Sequence, residues 1–290
     1  MKVARAPGEL EQRPRAVAIG TFDGVHRGHR RALEETLEAA DRGLEPTVVT
    51  FDPHPRTALG NRVELLTTLE RRLELLAELG FGEALVIEFD LEVARLPPEQ
   101  FAEEVLRAIG AKAVVAGEDF RFGRGRAGDL ALLERLGFEV RRVPLLADVS
   151  SSEIRRLLAA GEVEAAVGLL GRPPEVEGIV VAGDARGGTL GFPTANLRVD
   201  PELLVPHYGI YAGATEGHRA ALSIGTNPHY GGQERRVEVH LLDFDGDLYG
   251  RRLVVELWRR LRDERAFESE DDLVAQIGRD VDAAREVLRP

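Results

Sequence analysis

The sequence contains no cysteine, and its only lysines are Lys2 and Lys112. The lack of cysteine excludes disulfide bonds, zinc–thiolate sites and a cysteine nucleophile, and it favours a reducing cytoplasm as the compartment. The shortage of lysine excludes a P-loop, because neither lysine follows the glycine pattern G-x-x-x-x-G-K-[ST] that such a loop requires. Any phosphate transfer by this chain must therefore depend on other groups.

Long apolar segments and a basic surplus are missing as well. No run of about 18 apolar residues is present, so no membrane-spanning helix is predicted. Residues 1–15 are charged and contain prolines, and they lack the apolar core of a secretory signal. The formal net charge is −12, whereas nonspecific nucleic-acid binders usually carry excess positive charge. We therefore expect neither a membrane nor a nucleic acid as partner, while small phosphorylated substrates remain compatible with local arginines and Mg²⁺.

Residues 16–145 alternate short apolar runs, rich in valine and isoleucine, with amphipathic patterns of helical period. Strands are predicted at 16–20, 47–51, 84–89, 113–116 and 138–143. Helices are predicted at 27–40, 68–79, 98–109, 127–136, 151–159 and 163–169. This alternation predicts a Rossmann-like domain, in which crossover helices cover a parallel sheet.

The pattern changes at the sequence GRPP, residues 171–174, which is typical of a linker. Shorter strands are predicted beyond it, at 176–181, 209–215, 220–224, 236–243 and 252–261. Residues 243–247 are predicted to form a hairpin turn, and residues 270–288 a final helix. The predicted fold class is therefore α/β plus β. Residues 1–170 form the first domain, and residues 171–290 form a small antiparallel β-barrel with a terminal helix.

The first candidate site is the sequence GTFDGVHRGH at residues 20–29, directly after the first predicted strand. Glycines at such a turn let backbone N–H groups approach a phosphate, and the following helix points its positive end at the same place. His26 and His29 are three residues apart and share a face of that helix. The alternative is a turn with two solvent-facing histidines. The position favours a site, because parallel sheets bind ligands at the carboxyl ends of their strands.

A second segment, VSSSEIR at residues 149–155, predicts the start of another helix. Ser150 and Glu153 have the spacing of a capping box. Arg155 lies in the first turn, where it could reach a phosphate held at the helix N-terminus. Taken alone, this segment indicates only a capped helix with a solvated arginine.

Together the two segments resemble the nucleotidyltransferase superfamily, which has an H-x-G-H motif and a later S-S-T-x-I-R motif, with Ser152 here in place of the usual threonine. The sequences TFDPHP at 50–55 and GEDFRFG at 117–123 resemble loops that line the flavin and nucleotide pockets of the FAD synthetase branch. The resemblance implies catalytic roles for His26, His29 and Arg155. It implies that ATP or its phosphates bind at Gly20, Phe22, Asp23, Gly24, Gly28, Ser150, Ser151 and Ser152. It implies that flavin binds at Phe51, Pro53, His54, Asp119 and Phe120.

The third candidate segment is the glycine-rich sequence GDARGGTLGFPTAN at residues 183–196. Thr194 and Asn196 are two residues apart, so in an extended segment their side chains face the same way. A hydroxyl and an amide oxygen suit Mg²⁺, and glycines supply backbone donors to phosphates. We therefore expect metal binding at Thr194 and Asn196. Phosphate binding is expected at these two residues and at Gly183, Arg186 and Gly191.

The sequence RVEVHL at residues 236–241 predicts a strand with two different faces. Its apolar residues occupy one face, while Glu238 and His240 occupy the other. A carboxylate on that face could accept a proton from a substrate hydroxyl. For an isolated glutamate the alternative is a solvent-facing strand.

The second half as a whole resembles riboflavin kinase. The shared motifs are RGGTLGFPTAN at 186–196, IGTNP at 224–228, VEVH at 237–240 and LRDERAF at 261–267, with His229 and Tyr230 where the family commonly has Thr-Phe. Both halves in this order resemble the bifunctional bacterial riboflavin kinase/FAD synthetase family. That resemblance implies that the second domain phosphorylates riboflavin to FMN with Glu238 as the base. It also implies that the first domain adenylylates FMN to FAD, with ATP as co-substrate and Mg²⁺ as cofactor.

Two alternatives stay open at this point. The chain could retain only one of the two activities, with the other domain inactive. It could also be a flavin-binding carrier that consumes no ATP. The appearance of FMN and FAD in an assay distinguishes these alternatives, and the oligomeric state stays undetermined.

Overall fold

The computed structural model describes residues 1–183, 187, 190–226 and 235–290. These residues form two compact units, one spanning 1–151 and the other 152–290. The division supports a two-domain organisation, while the domain boundary at residue 170 stays a prediction. Among the described residues, no helix is both long enough and apolar enough to cross a membrane.

The first unit is built on a parallel sheet. Its strands are β1 (Lys2–Ala4), β2 (Arg15–Ile19), β3 (Glu45–Asp52), β4 (Glu83–Glu88), β5 (Ala111–Gly117) and β8 (Glu139–Val143), and a separate small hairpin consists of β6 (Arg121–Phe122) and β7 (Gly128–Asp129). The strand order is β1-β4-β3-β2-β5-β8, with every neighbouring pair parallel. The predicted parallel sheet is confirmed. The edge strand β1 was not predicted, because three residues are too few to show an alternating pattern.

Helices cover both faces of this sheet. They are α1 (Arg27–Leu37), α2 (Pro55–Ala58), α3 (Leu69–Glu78), α4 (Leu91–Arg95), α5 (Pro98–Phe101, continued by a π-helix over Ala102–Arg107) and α6 (Leu130–Arg135). On one face, Leu33 of α1 and Leu76 of α3 pack with Ala18 of β2. On the other face, Phe101 and Leu106 pack with the preceding residue of β2, Val17. Alternate residues of one strand thus point into two cores, as the apolar runs predicted.

The second unit contains the predicted barrel. Its elements are α7 (Ser151–Ala159), α8 (Val163–Leu170), β9 (Glu175–Val181), β10 (Ala195–Arg198), β11 (Gly209–Thr215), β12 (His218–Thr226), β13 (Arg235–Leu241), β14 (Arg252–Arg262) and α9 (Glu270–Glu286). The strands close in the order β10-β13-β12-β11-β14-β9, and each neighbouring pair is antiparallel. Both the barrel and its terminal helix are confirmed.

The hairpin turn predicted at residues 243–247 is wrong. Strand β13 pairs with β10 and β12, whereas β14 pairs with β11 and β9, so the segment between them joins strands that are not neighbours. The backbone does turn here, as the composition indicates, since Asp243 has a left-handed φ of 56°. Its carboxylate accepts two hydrogen bonds, at 2.5 and 2.9 Å, from Arg285 of α9. The segment therefore ties the barrel to the terminal helix.

Helix α9 is held against the barrel by a second ion pair. Arg262 at the end of β14 donates from Nε and Nη2 to the carboxylate of Asp280, at 2.9 and 2.6 Å. Gln276 donates to the same carboxylate at 2.8 Å. The helix begins after Ser269, whose hydroxyl caps it by accepting from the N–H of Asp272. These contacts fix the wall that α9 contributes to the cavity described below.

Candidate active sites

The turn after β2, which we call the histidine turn (residues 20–29), has an unusual backbone. Phe22 and Val25 both have left-handed φ angles, 49° and 42°, and Gly24 lies at 81°. A branched residue such as valine rarely adopts such an angle, and strain of this kind concentrates at functional sites. The turn lies at the carboxyl end of β2, in the middle of the parallel sheet. This is the position at which such sheets bind ligands.

Asp23 holds the histidine turn in place. Its side chain is fully buried, at 0% exposure. The carboxylate accepts hydrogen bonds from the N–H groups of Leu66 at 2.9 Å and of Thr67 at 3.1 Å. The hydroxyl of Thr67 in turn accepts from the N–H of Gly24 at 3.1 Å. A buried carboxylate satisfied by backbone donors orients this loop, and its negative charge does not favour direct contact with a phosphate.

His26 and His29 lie together as predicted. Helix α1 begins at Arg27, and His26 is its N-cap, with Nδ1 accepting from the N–H of His29 at 3.2 Å. The two rings stack, with centroids 3.5 Å apart. A Cβ on Gly28 would lie 3.2 Å from the His26 ring, so the glycine leaves space for this cap. Because Nδ1 of His26 accepts a bond, the proton of the neutral ring resides on Nε2, which is a donor.

His29 is held in its neutral form. Burial, together with the nearby positive charges of His26 and Arg72, places the pKa of His29 well below its usual value. Arg72 of α3 is 1% exposed and donates to the carbonyl of Phe51 at 3.3 Å. Burial also lowers the pKa of Arg72, while the carboxylates of Asp23 and Asp52 oppose that shift. Sequence reasoning missed Arg72, because an arginine in an amphipathic helix is expected to face solvent.

The serine segment reaches the histidine turn through Ser151. Its hydroxyl donates to the carbonyl of Asp23 at 3.0 Å, which joins two motifs that are distant in sequence. Ser150 and Ser152 are exposed, while Arg155 is partly buried within α7. The carboxylate of Glu153 accepts from Arg156 of the same helix at 3.0 and 2.7 Å. The roles expected for these serines and for Arg155 stay predictions.

The residues predicted to contact flavin differ in how accessible they are. Phe51 is buried in the sheet core, with its ring edge-on to Phe89, 5.6 Å away. His54 caps α2 by accepting from the N–H of Arg56 at 3.1 Å. The remaining candidates, Pro53, Asp119 and Phe120, are exposed or partly exposed. Phe120 stacks on Phe122 with centroids 5.7 Å apart, so of the two predicted aromatic residues it is the more available to a planar ligand.

The second unit contains a cavity of about 380 Å³, which we call the barrel cavity. Thr194, Asn196, Glu238 and His240 all line it, so four residues chosen from two sequence segments meet there. Strand β13 alternates as predicted, with its valines buried and Glu238 on the face that borders the cavity. Asn196 of β10 lies directly across from Glu238 in the β-ladder. This register follows from strand pairing and could not be derived from either segment alone.

Glycines shape the loop beside Asn196. A Cβ on Gly183 would lie 2.1 Å from the Asn196 amide nitrogen, so only glycine leaves room for that side chain. Gly191 adopts a left-handed φ of 85°, which glycine tolerates without strain. Arg186 and the departures at His229 and Tyr230 lie outside the described residues.

Two further residues of the barrel cavity were not singled out from the sequence. Ser223 of β12 lies across from Glu238 on the side opposite Asn196. Glu264 follows β14, and a Cβ on Gly225 would lie 1.8 Å from its carboxylate. Burial raises the pKa of Glu264 and the charge of Glu238 adds to that rise, while a hydrogen bond from the Thr226 backbone and the charge of Arg262 oppose it. Glu238 and Glu264, two of the three carboxylates that line the barrel cavity with Asp280, are therefore close enough to influence each other.

Comparison with known proteins covers both units. A family model described as FAD synthetase matches residues 9–155, and a model described as riboflavin kinase matches residues 170–288. A bifunctional riboflavin kinase/FMN adenylyltransferase from Escherichia coli strain K12 is 38% identical over 306 residues, covering 99% of this chain and 97% of its own. Another of the same name from Listeria monocytogenes is 37% identical, covering 92% of this chain and 90% of its own.

A solved structure described as a macrolide-efflux protein from Streptococcus pneumoniae has the same fold, with a TM-score of 0.88, 32% identity and 99% coverage of both chains. The two family models lie in the order that the motifs predicted, and the bifunctional relatives extend over nearly the whole chain. The chain therefore belongs to the bifunctional riboflavin kinase/FMN adenylyltransferase family.

Proposed function

We propose that this chain converts riboflavin to FAD in two ATP-dependent steps. The C-terminal part, residues 171–290, would phosphorylate riboflavin to FMN. The N-terminal part, residues 1–170, would transfer an adenylyl group from ATP to FMN and release pyrophosphate. The observation that carries the proposal is the register that sets the Glu238 carboxylate across from Asn196 on the barrel cavity. The names of the full-length relatives support it, and the lack of cysteine supports the cytoplasm as compartment.

The first step needs a base. The nucleophile is the 5′-hydroxyl of the ribityl chain, which is weak until its proton is removed. Glu238 accepts that proton as the hydroxyl oxygen bonds to the γ-phosphorus of ATP and the bond from that phosphorus to the bridging oxygen breaks, which releases ADP. Its place on the barrel cavity, beside Asn196 and Ser223, brings the carboxylate to where substrate would lie.

Two residues that border the barrel cavity, Thr194 and Asn196, fit a magnesium ion. The Thr194 hydroxyl and the Asn196 amide both border the barrel cavity, and both are hard oxygen donors of the kind Mg²⁺ prefers. Gly183 leaves the space that the Asn196 side chain fills. We propose that Thr194 and Asn196 hold Mg²⁺, which when bound would offset the negative charge of the ATP phosphates.

The second step needs no base. The nucleophile is the phosphate of FMN, which has a second pKa of about 6 and is mostly ionised at neutral pH. Its oxygen attacks the α-phosphorus of ATP, and pyrophosphate leaves. The histidine turn supplies donors instead: neutral His29, the Nε2–H of His26 and the N-terminus of α1 would stabilise charge that builds on the leaving group. Arg155, Ser150, Ser151 and Ser152 would contact the phosphates, and Phe120 with Pro53, His54 and Asp119 would border the flavin.

A chromatographic time course tests this proposal directly. The purified full chain is incubated with riboflavin, ATP and Mg²⁺, and flavins are separated at intervals. FMN should appear first, and FAD should follow as FMN is consumed. FMN without FAD would show that the first unit is inactive. Bound riboflavin without conversion or ATP use would overturn the proposal in favour of a carrier.

A further inference from the structure

His240 borders the barrel cavity beside Glu238, on the face of β13 opposite its buried valines. The proposed phosphorylation gives it no part, because Glu238 removes the proton while Thr194 and Asn196 hold the metal. Its ring is nevertheless bonded to the metal-binding segment. Nδ1 lies 2.8 Å from the carbonyl oxygen of Pro193, the residue directly before Thr194. Since a carbonyl oxygen only accepts, Nδ1 carries the proton and donates.

Thr194 lies just outside the β-ladder of the barrel. Strand β10 begins one residue later, at Ala195, which pairs with Val239 of β13. Continued by one residue, the same register would set Thr194 across from His240. The pairing of β10 with β13 ends before that position, so it does not fix where the Thr194 hydroxyl points. The bond from the His240 side chain to the Pro193 carbonyl anchors the segment instead.

The His240 ring is also held by an aromatic contact. Phe192, two residues before Thr194, lies edge-on to it, with centroids 5.7 Å apart and ring planes at 79°. The N–H of Phe192 donates to the carbonyl of Gly187 at 2.8 Å. A Cβ on Gly187 would lie 3.1 Å from the Thr194 hydroxyl oxygen, so the glycine leaves room beside that oxygen. The segment 192–194 is therefore anchored to His240 by two different contacts.

A hydroxyl ligand on such a segment needs a partner that fixes its direction, because Mg²⁺ requires nearly ideal octahedral geometry. We propose that His240 is a positioning residue, which acts through the Pro193 carbonyl to aim the Thr194 hydroxyl at Mg²⁺ bound with ATP in the barrel cavity. The inference rests on the proposed phosphorylation of riboflavin and on the proposed metal site at Thr194 and Asn196.

A second histidine of the barrel has similar contacts away from the metal-binding segment. His218 of β12 has its Nδ1 3.3 Å from the carbonyl oxygen of Leu242, and its ring lies edge-on to Phe244 with centroids 5.2 Å apart. It is not among the described residues that line the barrel cavity. His218 is therefore a matched control, since a substitution there removes the same kinds of contact from another part of the same unit.

Two substitutions in the full chain separate the hydrogen bond from the ring contact. His240→Phe keeps a ring against Phe192 but has no donor, whereas His240→Asn loses the ring and keeps an N–H near the position of Nδ1. The free Mg²⁺ concentration that gives half-maximal riboflavin phosphorylation is measured at saturating ATP. It should rise about 10- to 100-fold in His240→Phe, as expected when a metal ligand loses the partner that orients it. In His240→Asn it should stay within about threefold of wild type.

ADP binding supplies a readout that does not depend on turnover. ADP is titrated into the full chain by calorimetry, once with Mg²⁺ and once with EDTA. The part of the Mg²⁺-dependent gain in affinity that is lost in Thr194→Ala belongs to the barrel cavity. That part should also be lost in His240→Phe and kept in His240→Asn, while binding with EDTA stays the same in both variants. A purely structural role for His240 would weaken binding under both conditions alike.

His218→Phe should keep the Mg²⁺ requirement of the wild type, and FAD formation from added FMN should be unchanged in every variant. An unchanged Mg²⁺ requirement in His240→Phe or in Thr194→Ala would overturn the inference. Equal losses in His240→Phe and His240→Asn would do the same, because the ring contact rather than the hydrogen bond would then matter. If the wild type itself forms no FMN from riboflavin at any Mg²⁺ concentration, the proposed function fails, which is a separate result.

Discussion

The two candidate sites differ in the charge of the groups that border them. The barrel cavity is lined by three carboxylates, of which Glu238 and Glu264 influence each other and Asp280 is paired with Arg262. The histidine turn presents His29 in its neutral form, and its one carboxylate, Asp23, is buried and bonded to backbone. The difference follows the nucleophiles: a hydroxyl needs a base, whereas an ionised phosphate needs only positioning and donors. One chain can thus use ATP at two sites, one with a carboxylate that removes a proton and one with hydrogen-bond donors that position phosphates.

The largest effect is expected for Glu238→Gln. The amide keeps the size of the side chain but cannot accept the proton of the ribityl hydroxyl. We expect kcat for riboflavin phosphorylation to fall by about 10²- to 10⁴-fold. FAD formation from added FMN should be unchanged, because the two sites lie in separate units. Initial rates with riboflavin or with FMN as substrate measure the two activities. Equal losses of both activities in a folded variant would show that the two sites do not act separately.

His29→Ala tests the other site. Removal of a neutral donor from the histidine turn should lower kcat for FAD formation by about 10²- to 10³-fold, as the loss of a transition-state hydrogen bond does elsewhere. Riboflavin phosphorylation should be retained. Assays of both activities on one preparation supply the control, and an adenylyl rate within about threefold of wild type would remove His29 from the mechanism.

The motifs predicted these two sites unequally well. Thr194, Asn196 and Glu238 were all identified from the sequence, and strand periodicity placed Glu238 on the correct face. The pairing of Asn196 with Glu238 depends on strand register, which a local pattern does not contain. Likewise, the bond from Ser151 to Asp23 joins segments that only the fold brings together. Arg72 could not be identified from the sequence, because its burial depends on tertiary packing of α3 that a local pattern does not contain.

The fold was more predictable than the connections within it. Apolar runs in β2, β3, β4 and β5 gave a clear signal because both faces of a parallel sheet are buried. The segment at 243–247 had the composition of a hairpin turn, but composition does not reveal which strands are neighbours. The order of strands in the barrel is set by closure, a property of the whole unit.

Gly183→Ala should affect only the barrel cavity. A Cβ at this position would overlap the Asn196 amide at 2.1 Å, so Asn196 must move away from its place beside Glu238. A displacement of this kind should lower riboflavin phosphorylation by about 10- to 100-fold. The matched control is Gly278→Ala in α9, where a Cβ meets nothing within 4 Å. That control should preserve phosphorylation and stabilise the helix by about 1 kcal/mol, as measured by thermal unfolding.

The neutral state of His29 also predicts how stability depends on pH. Its folded-state pKa lies well below the unfolded value of about 6.5, so the unfolded chain takes up the proton first as pH falls. Stability from this group is present above about pH 6.5 and is lost as pH decreases toward the folded-state pKa. The loss is at most about 1.4 kcal/mol per pH unit. Urea unfolding of the wild type and His29→Ala between about pH 7.5 and 5.5 should show a shallower decline in the variant.

The smallest expected effect concerns backbone strain. In the first unit, the non-glycine residues with left-handed φ angles are Phe22 and Val25 of the histidine turn, Arg126 in the loop after β5 and Asp148 before α7. Among the described residues of the second unit they are Glu216 and Asp243, neither of which borders the barrel cavity. Arg126→Gly should therefore raise the free energy of unfolding by about 0.5 kcal/mol, because relief of the left-handed strain slightly exceeds the entropic cost of glycine.

The neighbouring residue provides a control of opposite sign. Gly125 is also left-handed, and a Cβ there would meet nothing within 4 Å, so Gly125→Ala isolates the strain at a cost of about 1 kcal/mol. Chemical unfolding measures both variants. A gain of stability in Arg126→Gly would show that the left-handed backbone at this position is a net cost to the first unit. A loss of stability in Arg126→Gly would show instead that the guanidinium holds the loop, and the contrast between the two sites would then rest on charge alone.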